Sequence, residues 1–587
     1  MCGIAGQFGK VTKDFASKAL AALQHRGPDG QGVWESELAT LVHTRLAILD
    51  LSEGGSQPMH VAESGLTIVF NGEIYNFREL RAELEREGVV FHSQSDTEVL
   101  LRLYQREGEA MTGRLRGMFA FALWDARKRR AFLARDPFGI KPLYYSFSGG
   151  TLSFASELRV LQKTGCAGSK LDAAALMGFF ETGSVAEPRT LLEGVRCLPA
   201  GHQLTWRDGQ VQERRFWSLQ FGGEKVAPAD SVQMTRAALL DSVEHHFVSD
   251  VPVGLFLSGG VDSTALLALA HQTGRRELST FSIGVDDEGL DESSIAARTA
   301  AHFGARHHEL RLNASALGES FPRFLSHMDQ PSIDGFNTFS VAGFAREHGM
   351  KVVLSGLGGD EMFGGYPSFE RVPRLAAMAR LTHRIGLAGP AGPLLEKHMP
   401  RLPMRRVGSL LQREATIPHA YRAFRGVFTR KTARELAARY AGCDVNEVPD
   451  DPSLGDVPEG DARDQVSACE LSLYMRNQLL KDSDVMSMAH GLELRVPLVD
   501  RVLFESVAGI PAAERLRPGK QLLLEAVPEV PEWVANQPKR GFLFPFEKWL
   551  SSEWGGAFAD VTRRLPEKHP TWYQRWSAFM LERWIER

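Results

Sequence analysis

The sequence is poor in cysteine and lacks both a long apolar run and an excess of charge of one sign. Its five cysteines include no CxxC pair, which argues against a zinc ribbon or a disulfide framework and favours a reducing compartment. No uninterrupted apolar run reaches the roughly 18 residues of a membrane-spanning helix, and the start MCGIAGQFGK has no secretory pattern. The net charge of −4, from 68 basic and 72 acidic residues, favours neither nucleic acid nor a membrane as partner. We therefore expect a cytoplasmic protein.

The composition is that of an ordinary globular protein, with 43% apolar and 24% charged residues. At about 150 residues per domain, the length fits three or four domains or two large ones. Residues 1–217 contain short β-type runs separated by Gly, Pro and Asp turns, which predicts a strand-rich domain. Residues 218–228 lack periodicity and are interpreted as a linker. In residues 229–587, strand and helix patterns alternate, which predicts parallel β/α units.

Individual patterns predict elements at defined places. In the first part, strands are predicted at 66–70, 118–124 and 131–134, and helices at 77–87 and 96–107. In the second part, strands are predicted at 252–257, 278–285 and 351–354, and helices at 233–247, 263–272 and 293–303. Residues 368–440 are predicted to be helical. Their Arg-rich portion, 401–430, is interpreted as a solvated helical face, with a partner surface as the alternative.

Cys2 is a candidate nucleophile if Met1 is removed. The residue would then carry both a thiol and a free α-amine, and an α-amine with a pKa near 7.7–8.0 can act as a general base at neutral pH. A thiol of pKa about 8.5 needs such a base to become a nucleophile. Standing alone, Cys2 would be an ordinary second residue, so its interpretation depends on the motifs that follow it.

Four motifs follow Cys2: QHRGPD at 24–29, HTRLAI at 43–48, NGEIYN at 71–76 and SDTE at 95–98. Together they resemble the class-II, N-terminal-nucleophile glutamine amidotransferases over most of residues 1–160. The resemblance implies a four-layer αββα domain that hydrolyses glutamine with Cys2. It also implies that Arg45 binds the glutamine carboxylate and Asp96 its amine, since an arginine fork suits a carboxylate. The remaining residues implied to bind glutamine are Leu46, Ile48, Asn71, Gly72 and Glu73.

By the same resemblance, the Asn71 side chain and the Gly72 backbone N–H donate to the oxyanion of the tetrahedral intermediate. One such donor can be worth about 2.7–4 kcal/mol. The alternatives for single residues are structural. Asn71-Gly72 alone would be a plain turn, Arg45 could form a surface ion pair, and Asp96 could cap a helix.

SGGVDS at 258–263 lies between a predicted strand and a predicted helix. Small residues there let backbone N–H groups approach an anion, and a helix N-terminus adds positive potential. The GK[ST] ending of a Walker A loop is missing. The segment instead resembles the pyrophosphate loop of ATP pyrophosphatases, with a chance Ser/Gly turn as the alternative.

Three further motifs appear in family order: SGLGGDEMFGGY at 355–366, KDSDVMSMAH at 481–490 and QPKRGF at 537–542. With SGGVDS they resemble the glutamine-hydrolysing asparagine synthetase family over nearly the whole chain. The resemblance implies a parallel-sheet α/β ATP-pyrophosphatase domain with helical additions. It also implies that the protein binds ATP with Mg²⁺ and forms a homodimer. Asp262 and Asp360 would hold Mg²⁺, which prefers hard oxygen ligands, and Lys539 would be catalytic by neutralising charge. The implied ATP-binding residues are Phe256, Ser258, Gly259, Gly260, Asp262, Ser263, Ile283, Ser355 and Gly356.

One position departs from the family pattern. An acid commonly follows Ser-Gly in the second motif, but Leu357 stands here. A leucine neither accepts a proton nor binds a cation, so nearby acids would have to replace it, and the candidates are Asp329, Asp334 and Glu361. The implied reaction converts aspartate to asparagine with release of AMP and pyrophosphate. The alternative is the same architecture with a different carboxylate acceptor, such as a cell-envelope sugar or a secondary metabolite.

Two other functions are weighed against this one. A synthetase that closes an amide with its own substrate's amine needs no ammonia supply, and the set of Cys2, Arg45, Asn71, Gly72 and Asp96 argues against it. A non-catalytic scaffold would not need the nucleotide motifs.

Overall fold

Two six-stranded antiparallel sheets are built from the first part of the chain. The computed structural model describes residues 2–222, 226–287, 289–450, 454–537 and 544–587. The strands of this part are β1 (Gly3–Phe8), β2 (Gly30–Glu35), β3 (Ala39–Arg45), β4 (Met59–Val61), β5 (Leu66–Ile74), β6 (Gly117–Asp125), β7 (Arg130–Arg135), β8 (Tyr144–Ser148), β9 (Thr151–Ala155), β10 (Val195–Cys197), β11 (His202–Arg207) and β12 (Gln210–Arg215). One sheet has the order β10-β8-β9-β1-β3-β2 and the other β12-β11-β7-β6-β5-β4.

Helices cover the outer faces of both sheets. They are α1 (Phe15–Leu23), α2 (Phe77–Arg86), α3 (Asp96–Glu107), α4 (Leu158–Lys163) and α5 (Ala173–Thr182). One apolar core lies between the sheets, a second joins α1, α4 and α5 to the first sheet, and a third joins α2 and α3 to the second. Strands such as β5 and β6 read as continuous apolar runs because both of their faces are buried. The arrangement is the predicted four-layer αββα fold.

A five-stranded parallel sheet organises the second part. Its strands are β13 (Val253–Phe256), β14 (Ser279–Val285), β15 (Arg306–Leu312), β16 (Val352–Leu354) and β17 (Glu493–Arg495). The order is β15-β14-β13-β16-β17, and every neighbouring pair is parallel. The central strand β13 therefore lies between β14 and β16, where the strand order reverses. In such sheets, ligands bind at the carboxyl ends of the strands next to this reversal.

Helices pack around the parallel sheet and extend beyond it. They are α6 (Pro228–His246), α7 (Val261–Gln272), α8 (Ser293–His302), α9 (Ala314–His327), α10 (Phe336–Glu347), α11 (Gly359–Phe363), α12 (Ser368–Arg384), α13 (Ala388–His398), α14 (Leu402–Leu410), α15 (Ile417–Arg425), α16 (Arg430–Ala441), α17 (Ala462–Cys469), α18 (Lys481–Met488), α19 (Arg501–Val507), α20 (Ala512–Arg515), α21 (Gln521–Ala526), α22 (Glu532–Ala535), α23 (Phe546–Ser551), α24 (Gly555–Arg564) and α25 (Trp572–Ile585). A π-helical segment, Glu470–Leu480, joins α17 to α18. Within the described ranges, no helix is long and apolar enough to cross a bilayer.

The interpretation of residues 401–430 as a solvated face is wrong for several of its arginines. Arg422 is only 3% exposed and pairs with Glu181 at 3.4 Å. Arg425 pairs with the fully buried Glu470 at 2.6 Å. The physical reason is that α15 packs inside the molecule, where acids from distant segments neutralise its arginines. A single sequence does not reveal those acids as partners.

Buried charges cross between the two parts of the chain. Asp484 of α18 accepts from Arg26 at 2.8 Å and from Lys141 at 3.3 Å, and all three side chains are almost fully buried. Arg116 pairs with Asp500 at 2.9 Å. Apolar side chains from both parts also share common cores. A shared buried core therefore joins the two antiparallel sheets to the parallel sheet, and the contact between them is not merely one between two exposed surfaces.

Candidate active site

Cys2 and Asn71 meet at the start of β1. The Cys2 backbone N–H donates to Asn71 Oδ1 at 3.0 Å. Asn71 is fully buried, and within the described part of the chain its Nδ2 has no hydrogen-bond partner. Buried donors in folded proteins are almost always paired. This amide N–H is therefore a donor that a ligand oxygen beside Cys2 can satisfy.

Gly72 is fixed as glycine by its surroundings. Its φ is +152°, and a Cβ at this position would lie 2.0 Å from the Met118 carbonyl oxygen in β6. Any side chain would push β5 away from β6. The close approach of these two strands therefore explains the glycine that follows Asn71.

The Cys2 thiol is not activated by its surroundings alone. Burial raises the pKa of the Cys2 thiol, while the Leu46 backbone N–H and the Arg45 guanidinium act in the opposite direction. Leu46 and Ile48 are buried and pack in the apolar core shared with the second part of the chain. A thiol held in this way needs a nearby base before it can attack a substrate.

Arg45, Asp96 and Glu73 are each held by neighbouring groups. Arg45 Nη1 donates to the Ser52 carbonyl at 2.9 Å, and Nη2 donates to the Asp50 carbonyl. Asp96 Oδ2 accepts from the Ile74 backbone N–H at 3.0 Å. Burial raises the pKa of Asp96 to about 6. Burial also raises the pKa of Glu73, whose Oε1 lies 3.3 Å from Arg495 Nη2. With a pKa of about 6, Asp96 is ionised at pH 7.

Arg26 is a residue that the sequence reasoning did not single out. It is fully buried, its Nε donates to the Cys2 carbonyl at 3.2 Å, and its Nη1 donates to Glu157 Oε1 at 3.1 Å. Its Nη2 reaches Asp484. The guanidinium therefore holds the Cys2 backbone in place. The sequence signal that could have identified Arg26 was its position in the QHRGPD motif at 24–29.

Arg495 belongs to the continuation of the motif at 481–490, but the sequence reasoning predicted no role for it. Its Nε donates to Glu493 Oε1 at 2.5 Å, and its Nη2 lies near Glu73. Its backbone carbonyl accepts from the Ser355 N–H at 2.9 Å. One residue thus contacts both candidate sites, through its side chain at one and its backbone at the other.

A cavity of about 590 Å³ lies at the carboxyl ends of β13 and β16, and we call it the SGGVDS cavity. The residues predicted for ATP and metal all line it, and they are Phe256, Ser258, Gly259, Gly260, Asp262, Ser263, Ile283, Ser355, Gly356 and Asp360. The loop before α7 is closed on itself, since Ser258 Oγ lies 2.9 Å from Ser263 Oγ and accepts from Gly260 N at 3.2 Å. Its backbone is therefore shaped before any ligand binds.

Lys520 lies between the two predicted metal ligands and was not predicted. Its Nζ is 2.8 Å from both carboxylate oxygens of Asp262 and 2.8 Å from Asp360 Oδ1. Burial alone would lower the pKa of Lys520, but the two carboxylates raise it above its ordinary value. The two acids thus converge on a single cation.

The donor set fits Mg²⁺ brought in by a nucleotide. Within the described ranges, no group of three or more His, Cys, Asp or Glu side chains could hold a metal by itself. Mg²⁺ in nucleotide sites is bound by one or two carboxylates together with phosphate oxygens. Asp262 and Asp360 would supply the carboxylates, and phosphates would have to supply other ligands.

The remaining predictions for this site have different outcomes. Lys539 lies outside the described residues, so its role stays a prediction. Leu357 lines the SGGVDS cavity, as do Asp334 and Glu361. Asp329 is excluded as a replacement acid, because its carboxylate accepts from the backbone N–H groups of residues 158 and 159 at 2.9 and 3.0 Å. The missing acid can thus be replaced only by Asp334 or Glu361 among those three candidates.

Comparisons with known proteins assign both parts of the chain to known families. Residues 1–217 match the family model described as Glutamine amidotransferase domain, and residues 234–585 match the model described as Asparagine synthase. The chain is 34% identical over 585 residues to asparagine synthetase (glutamine-hydrolyzing) 1 of Bacillus subtilis (strain 168), covering 94% of this chain and 88% of that protein. A putative asparagine synthetase (glutamine-hydrolyzing) of Mycobacterium tuberculosis (strain ATCC 25618 / H37Rv) is 34% identical over 588 residues, covering 95% and 88%. Amidase chyE of Penicillium rubens is 29% identical over 592 residues, covering 91% and 85%.

An N-terminal-nucleophile sandwich joined to a parallel-sheet unit with an SGGVDS loop defines a glutamine-dependent ligase. The chain belongs to the asparagine synthase family, whose members use ATP.

Proposed function

We propose that this protein hydrolyses glutamine at Cys2 and uses the ammonia to convert a carboxylate into an amide, at the expense of ATP. The observation that supports this most strongly is that Cys2 with Asn71, and SGGVDS with Asp262 and Asp360, belong to two formed sites in one chain. The first site fits glutamine and the second fits Mg-ATP.

In the first half-reaction, the Cys2 thiolate attacks the glutamine side-chain amide and ammonia leaves from the tetrahedral intermediate. The α-amine of Cys2, free after removal of Met1, takes the thiol proton and then gives it to the amide nitrogen, which leaves as ammonia. Asn71 Nδ2 and the Gly72 N–H donate to the oxyanion. Arg45 binds the substrate carboxylate and the ionised Asp96 its ammonium. Water then cleaves the thioester and releases glutamate.

In the second half-reaction, an oxygen of the acceptor carboxylate attacks the α-phosphorus of ATP and pyrophosphate leaves. The 258–263 loop binds the departing phosphates, and Asp262 and Asp360 would hold their Mg²⁺. Ammonia then attacks the acyl carbon, and AMP leaves. Enclosure protects the adenylate from water, and we propose that ammonia reaches it by an internal route between the two sites.

Aspartate is the first acceptor to test, because the bacterial relatives are named as asparagine synthetases. A different carboxylate is the second candidate, because Leu357 takes the place of an acid. Pyrophosphate release from Mg-ATP and glutamine should be measured with and without L-aspartate, and asparagine should be measured by chromatography. Matching amounts of aspartate-dependent pyrophosphate and asparagine would support the first acceptor. Glutamate release without aspartate-dependent pyrophosphate would support the second. Absence of glutamate release and of Mg-ATP binding would refute the proposed function.

A further inference from the structure

A second cavity, of about 450 Å³, opens beside the SGGVDS cavity, and nine aromatic residues are among those that line it. We call it the aromatic cavity. Rings from the π-helical segment, from α10 and from the C-terminal helices face it, and they include Phe336, Tyr474, Phe544, Phe546, Trp572 and Trp576. Its volume lies within the range of about 300–1,000 Å³ that is typical of sites for drug-sized ligands.

The two cavities share part of their lining. Asp334, Asn337, Arg425, Tyr474 and Tyr573 line both of them. The Arg425 guanidinium lies 4.6 Å from the Tyr366 ring centre and 3.9 Å from that of Tyr474, and it is held by Glu470. A molecule whose carboxyl group reaches the ATP phosphates in one cavity can therefore extend its body past this junction into the other.

Arg406 gives the aromatic cavity one cationic position. Its side chain lines the cavity, and within the described part of the chain it has no acidic partner and its Nε has no hydrogen bond. Burial lowers the pKa of Arg406 to about 10. The neighbouring cavity arginines differ, since Arg422 and Arg425 pair with Glu181 and Glu470. A half-buried guanidinium without a counter-ion is stabilised by an anionic ligand.

We infer that the aromatic cavity receives the body of the acceptor, and that this acceptor is a carboxylic acid built on an aromatic ring with a second anionic group directed at Arg406. The inference rests on the proposed function. Aromatic rings favour offset or edge contacts with other rings. The aromatic residues that line the cavity offer such contacts on several sides. Aspartate would leave most of this apolar wall in contact with water.

The test uses the full-length protein with Mg-ATP and glutamine and measures pyrophosphate release with three acids. They are L-aspartate, 3-phenylpropionate and 3-(4-sulfophenyl)propionate, of which the last two differ only in the remote sulfonate. We expect the sulfonated acid to drive the fastest release at low concentration. Arg406→Gln should raise the KM for the sulfonated acid about tenfold or more, since a hydrogen bond to a charged group is lost. The same variant should change the KM for the unsulfonated aromatic acid by less than about twofold, because that acid has no group to pair with Arg406.

Arg405→Gln is the matched control. Arg405 lies on the same helix α14, donates to the Glu396 carbonyl at 3.2 Å and does not line the cavity. We expect the control to behave as the parent protein with all three acids. An equal effect of Arg406→Gln on both aromatic acids, or no effect on either, would overturn the role of Arg406. Pyrophosphate release with L-aspartate and with neither aromatic acid would overturn the inference as a whole.

A second variant fills the cavity without changing charge. Ala186 lines the aromatic cavity and not the SGGVDS cavity, so Ala186→Phe should block both aromatic acids while Mg-ATP binding stays unchanged. Unaltered turnover of the aromatic acids by this variant would contradict the inference. Calorimetric titration with Mg-ATP and glutamate release are measured in parallel. If both are normal and only aspartate is used, the inference fails and the proposed function stands; if both are absent, the proposed function fails.

Discussion

The two candidate sites of this molecule differ in how closely the protein packs around them. Around Cys2, charged groups are tied to the backbone: the half-buried Arg45 donates to two carbonyls, and the buried Asp96 accepts from the Ile74 N–H. Around SGGVDS, the chain encloses open space, about 590 Å³ beside a further 450 Å³. The substrate proposed for the first site, glutamine, is small, so that site can be built tightly. The site proposed for ATP and an acceptor needs more volume, and under this proposal the cavity wall determines which acceptor binds.

The largest expected effect is the loss of glutamine-dependent turnover, with ammonia-dependent turnover retained, when Cys2 is replaced. Cys2→Ala removes the nucleophile, so glutamine-dependent turnover should fall by at least about a thousandfold. Turnover with ammonium chloride should remain near that of the parent protein. Both rates are measured as pyrophosphate release with an accepted carboxylate. Survival of the glutamine-dependent rate would show that Cys2 is not the nucleophile.

Asp484→Asn tests the shared interior instead of either site. The change leaves Arg26 and Lys141 as buried charges without their carboxylate, and removal of one partner from a buried pair costs about 3–5 kcal/mol. The free energy of unfolding, measured in urea, should drop accordingly. Asp560→Asn is the control, because its pair with Arg563 is 76% and 77% exposed and should contribute about 0–1 kcal/mol. Equal effects of the two changes would mean that the interface is not a common interior.

Asp360→Asn is the counterpart of Cys2→Ala in the other site. It removes one of the two carboxylates that converge on Lys520, and with it a ligand proposed for Mg²⁺. We expect pyrophosphate release to fall about a hundredfold, since transition-state charge on the phosphates is less well neutralised. Glutamate release in the absence of ATP should not change. A matching loss of glutamate release would indicate that the substitution disturbs the fold.

The smallest expected effect is a pH dependence confined to the glutamine site. Burial raises the pKa of Asp96 to about 6, above the ordinary value of an aspartate. Protonation below pH 6 removes the negative charge that pairs with the substrate ammonium. The KM for glutamine should therefore rise about tenfold for each pH unit below 6 and level off above pH 7. Asp96→Asn should have a high KM that varies little with pH between 5 and 8. A flat profile in the parent protein would contradict the role of Asp96.

The sequence predicted the parts of the fold that depend on local pattern. The helix predicted at 96–107 coincides with α3, whose N-cap Ser95 accepts from Thr97 N. The parallel units around SGGVDS also lie where they were predicted. Strands β15 and β17 were missed, since β15 reads RHHELRL along a sheet edge and β17 has three residues. Helix α6 begins at Pro228, inside the interval interpreted as a linker.

What the sequence did not reveal were partners far apart in the chain. Lys520 and Asp262 are 258 residues apart, and Arg26 and Asp484 are 458 apart. The spacing of residues within a motif does not indicate which distant residues will be in contact in the folded chain. The same limit explains the error over Arg422, whose partner Glu181 lies 241 residues away. Charged residues without a nearby counter-charge look solvated until the fold is known.

Arg495 has a consequence for exchanging parts between relatives. Its side chain contacts Glu73 beside one site while its carbonyl holds Ser355 at the other. A hybrid enzyme that joins this glutaminase sandwich to another member's synthetase half must therefore keep Arg495 and Asp484, or it will bury orphaned charges at the seam. Arg406 and Ala186 line the aromatic cavity and are not members of these buried ion pairs, so a substitution there alters the cavity wall and leaves the ion pairs in place. If the acceptor binds in the aromatic cavity as we infer, the wall of that cavity is the place to redesign acceptor specificity, while the buried ion pairs between the two parts are kept.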